Sequence, residues 1–240
     1  DLQLSRYFLR QCDGLLVMSD QVMRDLDVVG VGAERRRVEH PIYDIFGEGM
    51  PREEARKQLG VDADRPVLLF FGYVRRYKGL HVLLEAMPAL LERLPDALLL
   101  VCGEFYDDEA PYREQVARLG IGKSVQFHAD YVPNEQVGTY FCASDVVVQP
   151  YVTATQSGVA QIAYQFRRPS IITDVGGLAE VVPHERAGFV VPPEDPPRLA
   201  AEIARFFEEK WAPRLEAGIE VERDKYSWDR LYEAMEELIG

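Results

Sequence analysis

The sequence has little positive charge, few cysteines and no long apolar run. It contains 27 Lys and Arg residues and 40 Asp and Glu residues, which gives a formal net charge of -13. A nucleic-acid-binding surface would have to form against this acidic field, so we expect no nucleic-acid partner. The three cysteines, Cys12, Cys102 and Cys142, are far apart and show neither metal-ligand spacing nor a disulfide framework. We therefore expect free thiols and a reducing, cytoplasmic environment.

The apolar runs are too short to cross a bilayer. Residues 97–102 form one of the longest, whereas a membrane-spanning helix needs about 20 apolar residues. A soluble protein is expected, and attachment to a membrane surface stays open. The chain starts with Asp1, inside a helix predicted over residues 2–12, which indicates a fragment or a processed chain.

Short apolar runs alternate with amphipathic segments through most of the chain. Residues 67–71 are continuously apolar, which is typical of a strand buried on both faces. Because parallel strands need helical crossovers, the alternation predicts an α/β fold with a Rossmann-like, doubly wound parallel sheet. The predicted strands and extended pieces cover residues 15–18, 38–42, 67–71, 97–101, 124–127, 146–148, 170–173 and 189–191. The predicted helices cover residues 20–27, 51–59, 80–94, 111–119, 133–143, 158–166, 178–182, 198–209, 214–223 and 228–239.

In such a sheet, ligands bind at the carboxyl ends of the strands, which we call the ligand edge. Two loops predicted there suit a diphosphate. The cationic loop, residues 72–79, holds Arg75, Arg76 and Lys78 between two glycines. The polar loop, residues 150–158, leads into a helix, whose unpaired first N–H groups attract phosphate oxygens. The candidate contacts at its end are Thr155, Gln156, Ser157 and Gly158.

Each loop also has a simpler interpretation. Ser, Thr and Gly residues before a helix are ordinary N-caps. The cations of residues 72–79 equally suit a solvated surface loop whose charges pair with nearby Glu residues. Both alternatives stay open at the level of the sequence.

Four more candidate positions fall at the ligand edge: two glycines, one glutamate and one histidine. Gly72 ends the first strand of the regular region, and Gly103 with Glu104 follows the second. A glycine there lets a ligand approach the backbone, although a tight turn needs it equally. Of the four histidines only His128 is placed at this edge, either as a ligand contact or as a structural or solvated residue. The sequence contains no credible Ser–His–Asp arrangement, Walker loop or GxGxxG.

Several short motifs, in order and at consistent spacing over about residues 66–209, resemble one family. The matching segments are Phe71-Gly72 with Lys78-Gly79, Leu83-Leu-Glu-Ala86, Gly103-Glu104, Ala143-Ser-Asp145, Pro169-Ser-Ile-Ile-Thr-Asp-Val-Gly-Gly177, Glu180-Val-Val182 and Gly188-Phe-Val-Val-Pro192. This set resembles the retaining, nucleotide-sugar-dependent glycosyltransferases of family 4, or group 1, which have the two-domain GT-B fold.

The resemblance implies how the chain is divided. Residues 1–45 would be the end of an N-terminal acceptor domain and a linker, and residues 46–225 the Rossmann-like donor-binding domain. Residues 226–240 would be a helix that crosses back toward the first domain. The chain would then supply the donor site and be inactive alone. Any peripheral membrane contact would come through the missing N-terminal domain.

Site residues are carried over by position. Lys78 matches the family lysine that contacts the donor diphosphate. The family's arginine usually follows the first glycine, where this chain has Tyr73, so Arg75 or Arg76 would reach the phosphate from farther along the loop.

The sequence departs from the family at its two glutamates, which lie eight positions apart around the glycine of the polar loop. Counting from Gly158 places Thr155 and Ala163 there, and counting back from Pro169 places Ala154 and Ile162. A Thr-Gln-Ser-Gly segment replaces the expected motif. Gln156 and Gln161 are the nearest groups able to hydrogen-bond a sugar or ribose hydroxyl, and both lack charge.

The resemblance implies transfer of a hexose from a UDP- or GDP-linked sugar to a glycan, lipid or small molecule, with retention of configuration. Lys78 and Arg75 would stabilise the leaving diphosphate as its charge develops. No cofactor or metal is expected, because no DxD-like carboxylate pair marks the ligand edge. The missing glutamates favour an alternative, a nucleotide-sugar or glycan-binding module without turnover.

Overall fold

The computed structural model describes residues 2–240 and contains two compact units. One unit comprises the described residues up to Ile42 together with Glu222–Gly240, and the other is Tyr43–Val221. No helix within residues 2–240 has both the length and the apolar character needed for a bilayer span.

The strands and helices follow one another along the chain with these bounds. The strands are β1 (Gly14–Val17), β2 (Glu34–Arg37), β3 (Val67–Phe71), β4 (Leu98–Cys102), β5 (Val125–His128), β6 (Val146–Gln149), β7 (Ser170–Thr173) and β8 (Gly188–Val191). The helices are α1 (Leu2–Leu9), α2 (Asp20–Val29), α3 (Arg52–Leu59), α4 (Leu80–Arg93), α5 (Ala110–Leu119), α6 (Asn134–Ala143), α7 (Gly158–Gln165), α8 (Leu178–Val181), α9 (Pro196–Glu208), α10 (Ala212–Arg223) and α11 (Trp228–Ile239). Short 3-10 turns cover Arg76–Lys78, Gly122–Ser124 and Asp224–Tyr226.

The larger unit is built on a six-stranded sheet with the order β5-β4-β3-β6-β7-β8. Every neighbouring pair is parallel, which confirms the predicted α/β class and doubly wound sheet. The chain moves outward from β3 in one direction through β4 and β5, and then returns to place β6 on the other side of β3. The carboxyl ends of β3 and β6 therefore flank the switch point at which such sheets bind ligands. The cationic loop follows β3, and the polar loop follows β6.

Apolar side chains cover both faces of this sheet. Along β3, Leu68 and Phe70 belong to one buried cluster, while Val67 and Leu69 belong to the other. This alternation follows from the two-residue period of a strand. The first cluster is completed by α4 and α9, and the second by α6 and α7. Because full burial of one such side chain is worth about 1.5–3 kcal/mol, the two layers fix the sheet that presents the ligand edge.

A buried ion pair joins α3 to the residues just before β6. Arg56, whose side chain is 1% exposed, donates to the Asp145 carboxylate at 3.0 Å. The same carboxylate accepts the Val67 N–H at 2.8 Å and pairs with Arg52 at 2.7 Å. Arg56 also donates to the carbonyls of Ala143 and three residues of the turn before β3. Asp145 thus holds the start of β3 beside the start of β6.

The smaller unit contains a two-stranded parallel sheet of β1 and β2. The partner of β1 is Glu34–Arg37, a strand that was not predicted, and residues 38–42, predicted as an extended piece, follow it outside any strand. Three consecutive arginines have no apolar alternation and did not indicate a strand. Ion pairs with α2 stabilise these arginines, since Arg35 pairs with Asp27 and Arg37 pairs with Asp20. The helix predicted over residues 2–12 ends earlier, at Leu9.

Candidate functional site

Backbone hydrogen bonds hold three loops of the ligand edge together. The Val152 N–H donates to the Tyr77 carbonyl at 2.7 Å, which ties the polar loop to the cationic loop. The Gly177 N–H donates to the Thr155 carbonyl at 2.9 Å, which ties it to the loop after β7. The Thr173 hydroxyl adds a bond to the Tyr151 carbonyl at 2.6 Å. The stretch of residues 150–180 is therefore anchored on both sides.

Two glycines permit these close contacts. Gly79 and Gly176 have φ angles of 73° and 55°, in the left-handed region that other residues rarely adopt. A β-carbon on Gly79 would lie 1.8 Å from the Pro150 carbonyl oxygen, and one on Gly176 would lie 1.9 Å from the Ala154 carbonyl oxygen. No other side chain fits either position without separating the loops.

Lys78 is a partly buried cation without an anionic partner. A β-carbon on Gly72 would lie 3.1 Å from the Lys78 Nζ and 3.6 Å from a Val159 methyl, so the Lys78 ammonium and a side chain of the first turn of α7 both approach Gly72. Burial lowers the pKa of Lys78 to about 8, and the charge of Arg75 adds to this shift. Among residues 2–240, no carboxylate forms an ion pair with Lys78. An ammonium in this position is available to an anion from outside.

Ser157 stands at the N-cap position of α7, but its side chain does not cap the helix. The hydroxyl donates instead to the Gln149 Oε1 at 2.6 Å and lies 3.1 Å from the Tyr151 hydroxyl. Tyr151 is buried, and this burial raises its pKa to about 12, so it stays a neutral partner. The ordinary N-cap interpretation is therefore wrong for this serine. The Ala160 N–H donates to the Ser157 carbonyl at 3.2 Å, whereas the Gly158 and Val159 N–H groups before it keep their capacity for a ligand.

The neighbouring glutamines are buried in this network. Gln149 and Gln161 are 1% and 3% exposed. The Gln149 Nε2 and the Gln161 Oε1 have no hydrogen-bond partner in the part of the chain that the structure describes. Gln161, the predicted hydroxyl contact, thus lies behind the loop surface, whereas Gln156 is half-buried and Thr155 and Gly158 are exposed.

A cavity of about 160 Å³ opens beside Gly72. It brings together three predicted contacts, Gly72, Gly103 and Glu104, whose two loops touch. A β-carbon on Gly103 would lie 2.5 Å from the Gly72 carbonyl oxygen. The other residues that line the cavity were not predicted as contacts: Phe46, Phe71, Tyr73, Tyr131, Val132, Asn134 and Val137.

The residues that were missed differ in the signal that the sequence offered for them. Tyr131 and Asn134 follow β5 and were within reach of the rule that ligands bind at strand ends. Phe46 stands at the predicted start of the donor-binding domain, and no local pattern marks it as part of a site.

Arg75 and Arg76 line a different cavity, on the ligand edge beside Tyr106. The Arg75 guanidinium carbon stands 4.0 Å from the centre of the Tyr106 ring. Within residues 2–240, neither arginine forms an ion pair with a carboxylate. The interpretation of a loop whose charges pair with nearby Glu is therefore wrong. The contribution of either arginine to a diphosphate site stays a prediction.

His128 is the last residue of β5 and so lies at the ligand edge, where it was predicted. The His128 carbonyl accepts the Gly103 N–H at 2.9 Å, and its ring Nδ1 lies 3.3 Å from the Tyr140 hydroxyl. Burial lowers the pKa of His128. Its ring packs edge-to-face on Tyr140, as a structural residue does. His81, which was not expected at this edge, lines the cavity of Arg75 and Arg76.

No group of three or more His, Cys, Asp or Glu residues is arranged to hold a metal ion within residues 2–240. The cations of the cationic loop are the side chains of Arg75, Arg76 and Lys78. Independence from metal stays a prediction for the whole protein.

Comparison with known proteins identifies the family. The family model described as glycosyl transferases group 1 matches residues 65–209, and this chain belongs to that family. The D-inositol 3-phosphate glycosyltransferase of Corynebacterium urealyticum is 31% identical over 246 residues, covering 94% of this chain and 56% of that protein. A glycosyltransferase of Methanocaldococcus jannaschii is 32% identical over 180 residues, covering 73% of this chain and 45% of that protein.

Solved structures agree with the fold. Sucrose-phosphate synthase from Thermosynechococcus elongatus has a TM-score of 0.83 and 27% identity, covering 99% of this chain and 60% of that chain. The Anabaena protein HepE, solved with UDP and glucose, has a TM-score of 0.85 at 18% identity, covering 99% of this chain and 66% of that chain. The larger unit is thus the Rossmann-like C-terminal domain of a GT-B fold. The chain spans about half the length of the curated relatives it matches.

Proposed function

We propose that this chain is the donor-binding half of a retaining glycosyltransferase of family 4. The whole protein would transfer a hexose from a UDP- or GDP-linked sugar to a glycan, lipid or small-molecule acceptor. The observation that carries the proposal is Lys78, an ammonium without an ion pair that approaches Gly72 at the switch point, as does the first turn of α7. The relative solved with UDP and glucose supports a nucleotide-sugar donor.

Lys78 and the N–H groups at the start of α7 act on opposite sides of the donor diphosphate. The N–H groups at the start of α7 attract its oxygens through hydrogen bonds and the helix dipole. Lys78 supplies a full positive charge in a partly buried place, where electrostatic attraction is stronger than in water. As the sugar–oxygen bond breaks, negative charge grows on the diphosphate, and these fixed groups stabilise it most at that point.

The cavity beside Gly72 is the place proposed for the nucleoside. Its walls include Phe71, Tyr73 and Tyr131, and Glu104 lies at its margin. Aromatic rings suit the flat faces of a base, whereas a carboxylate accepts hydrogen bonds from ribose hydroxyls. The cavity adjoins Gly72, so a nucleoside there leaves its diphosphate beside Lys78.

A binding module without turnover is the second proposal. It is favoured by the sequence of residues 150–173, which contains no glutamate. We expect the full-length protein to release free sugar slowly from a UDP- or GDP-sugar, equally with and without EDTA. Hydrolysis measured with radiolabelled donors tests this expectation. Donor binding with no hydrolysis or transfer would favour the module, and loss of turnover in EDTA would overturn the metal-free proposal.

Donor binding is expected to weaken as pH rises above the pKa of Lys78. In the free protein this pKa is about 8, and a bound diphosphate raises it because the anion favours the ammonium form. Binding above about pH 8 therefore takes up a proton, and UDP affinity falls by up to about tenfold per pH unit. Calorimetry in two buffers of different ionisation enthalpy measures that uptake.

Lys78→Arg is the control for this pH dependence, because a guanidinium stays charged throughout. The variant should bind UDP with little change between about pH 7 and about pH 9. An unchanged pH profile in both proteins, with no proton uptake, would remove Lys78 from the diphosphate site.

The proposed setting is the cytoplasm. In support of a reducing compartment, Cys12, Cys102 and Cys142 are free thiols. The partners proposed are the nucleotide-sugar donor and the acceptor. Neither the relatives nor the described residues support contact with a membrane.

A further inference from the structure

The segment between β2 and α3 brings a tyrosine hydroxyl to the start of α7. Tyr43 is the first residue of the larger unit, and a β-carbon on Gly158 would lie 3.1 Å from its hydroxyl oxygen. The same β-carbon would lie 3.5 and 3.7 Å from two carbons of the Tyr43 ring, which is ordinary van der Waals distance. Gly158 is the first residue of α7. The absence of a side chain there therefore leaves room for the hydroxyl beside the first turn of the helix.

Packing and hydrogen bonding hold this segment in place. The Tyr43 and Phe46 rings pack edge-to-face, with their centres 5.9 Å apart. Both rings also pack on the buried cluster that α6 and α7 complete. The Gln165 side-chain amide, at the end of α7, donates to the Gly47 carbonyl at 2.8 Å. Because the tyrosine is positioned before a ligand arrives, it loses little freedom when it binds one.

The segment reaches two parts of the proposed donor site. Phe46 lines the cavity proposed for the nucleoside, as Gly72 does. Gly72 in turn lies close to α7, because a β-carbon on it would be 3.6 Å from a Val159 methyl. A diphosphate that leads from this cavity to the Gly158 and Val159 N–H groups therefore ends beside the Tyr43 hydroxyl.

A tyrosine hydroxyl is chemically suited to this position. Residues 150–173 contain no glutamate, so the polar loop and α7 offer a ligand only neutral groups. A phenol O–H donates a hydrogen bond, and a bond to a charged oxygen is about twice as strong as one between neutral groups. Unlike a carboxylate, the hydroxyl brings no negative charge toward the phosphate.

We infer that Tyr43 is a further donor-binding residue, whose hydroxyl donates to a phosphate oxygen held at the start of α7. The inference rests on the proposed function, because it adds a residue to the donor site of that function. The hydroxyl acts on the α7 side of the diphosphate, and Lys78 acts on the other side. Its hydrogen bond strengthens as negative charge grows on the leaving diphosphate.

Tyr43→Phe tests the inference, because it removes the hydroxyl and keeps the ring against Phe46. UDP binding, measured by calorimetry, should weaken by about tenfold. Uridine, which has no phosphate, should bind to the variant as it binds to the wild type. An unchanged thermal midpoint shows that the fold is retained. Tyr232→Phe is the matched control, since it removes the same group from an exposed tyrosine of α11 and should leave UDP binding unchanged.

Gly158→Ala provides a second, independent test. The new β-carbon would stand 3.1 Å from the Tyr43 hydroxyl oxygen, a contact tight enough to displace it. Alanine is a better helix former than glycine, so α7 itself is not weakened. UDP binding should weaken by up to about tenfold in the wild-type background. In the Tyr43→Phe background it should not weaken further, because the displaced group is already absent.

Four results would count against these proposals. Unchanged UDP binding in Tyr43→Phe, together with weaker binding in Lys78→Ala, would overturn the inference and leave the proposed function standing. Equal losses for UDP and uridine would place the hydroxyl at the nucleoside instead of the phosphate. Losses from Tyr43→Phe and Gly158→Ala that add in the double variant would show that the two positions act separately. Failure of the folded wild-type chain to bind UDP would count against the proposed function itself.

Discussion

Replacing Lys78 with alanine is expected to weaken UDP binding by about 10- to 100-fold. A hydrogen bond to a charged group is worth about 1.5–3 kcal/mol, and the diphosphate loses both that bond and an ionic partner. In the full-length protein, kcat should fall as well, because the charge of the leaving group grows in the transition state. Calorimetric titration of the chain with UDP measures the first effect.

The Lys78→Ala substitution is not expected to lower the stability of the folded chain. The wild-type chain holds this ammonium partly buried without an anionic partner, which is unfavourable for folding. Its thermal midpoint should be equal to that of the wild type or higher. Lys57→Ala is the matched control, since it removes the same charge from an exposed position on α3. Equal loss of UDP affinity in both variants would mean that only the overall charge matters.

The largest effect on stability is expected from Asp145→Ala, at about 3–5 kcal/mol lower free energy of unfolding. The substitution leaves the buried Arg56 guanidinium without its counter-charge, and removing one partner of a buried pair costs about this much. The Val67 N–H at the start of β3 loses its acceptor at the same time. Urea unfolding followed by circular dichroism measures the change.

Two variants test the origin of this effect. Asp145→Asn keeps an acceptor for the Val67 N–H but loses the charge, so its stability should lie between wild type and Asp145→Ala. Asp64→Ala, an exposed aspartate before β3, should stay within about 0.5 kcal/mol of wild type. A loss at Asp145 no larger than that at Asp64 would show that the ion pair does not contribute to the fold.

The regular part of the fold was predictable because its determinants are local. Val67–Phe71 was predicted as a strand with the bounds it has, since a continuous apolar run indicates a strand buried on both faces. Ser170–Thr173 was also predicted with its observed bounds. The position of the ligand edge followed from strand direction. The strand at residues 34–37 was not predicted for the opposite reason. It consists of charged residues and forms only because it pairs with β1.

Side-chain directions at the site were beyond prediction. Ser157 stands where a cap is expected, yet its hydroxyl bonds to Gln149, which is eight positions away. Arg75 stacks on Tyr106 in a separate cavity, although it lies only three positions from Lys78. Such choices depend on groups that come together only after the sheet forms. The sequence placed the cationic and polar loops at the ligand edge but could not divide their side chains between two cavities.

Gly79 and Gly176 have a consequence for engineering. Each lets a loop pack against a carbonyl of residues 150–158, so the three loops fix one another's positions. A transplant of one loop from a relative with a different donor would break at least one of these contacts and misplace the other two loops. Exchange of donor specificity therefore requires the three loops together, with both glycines retained.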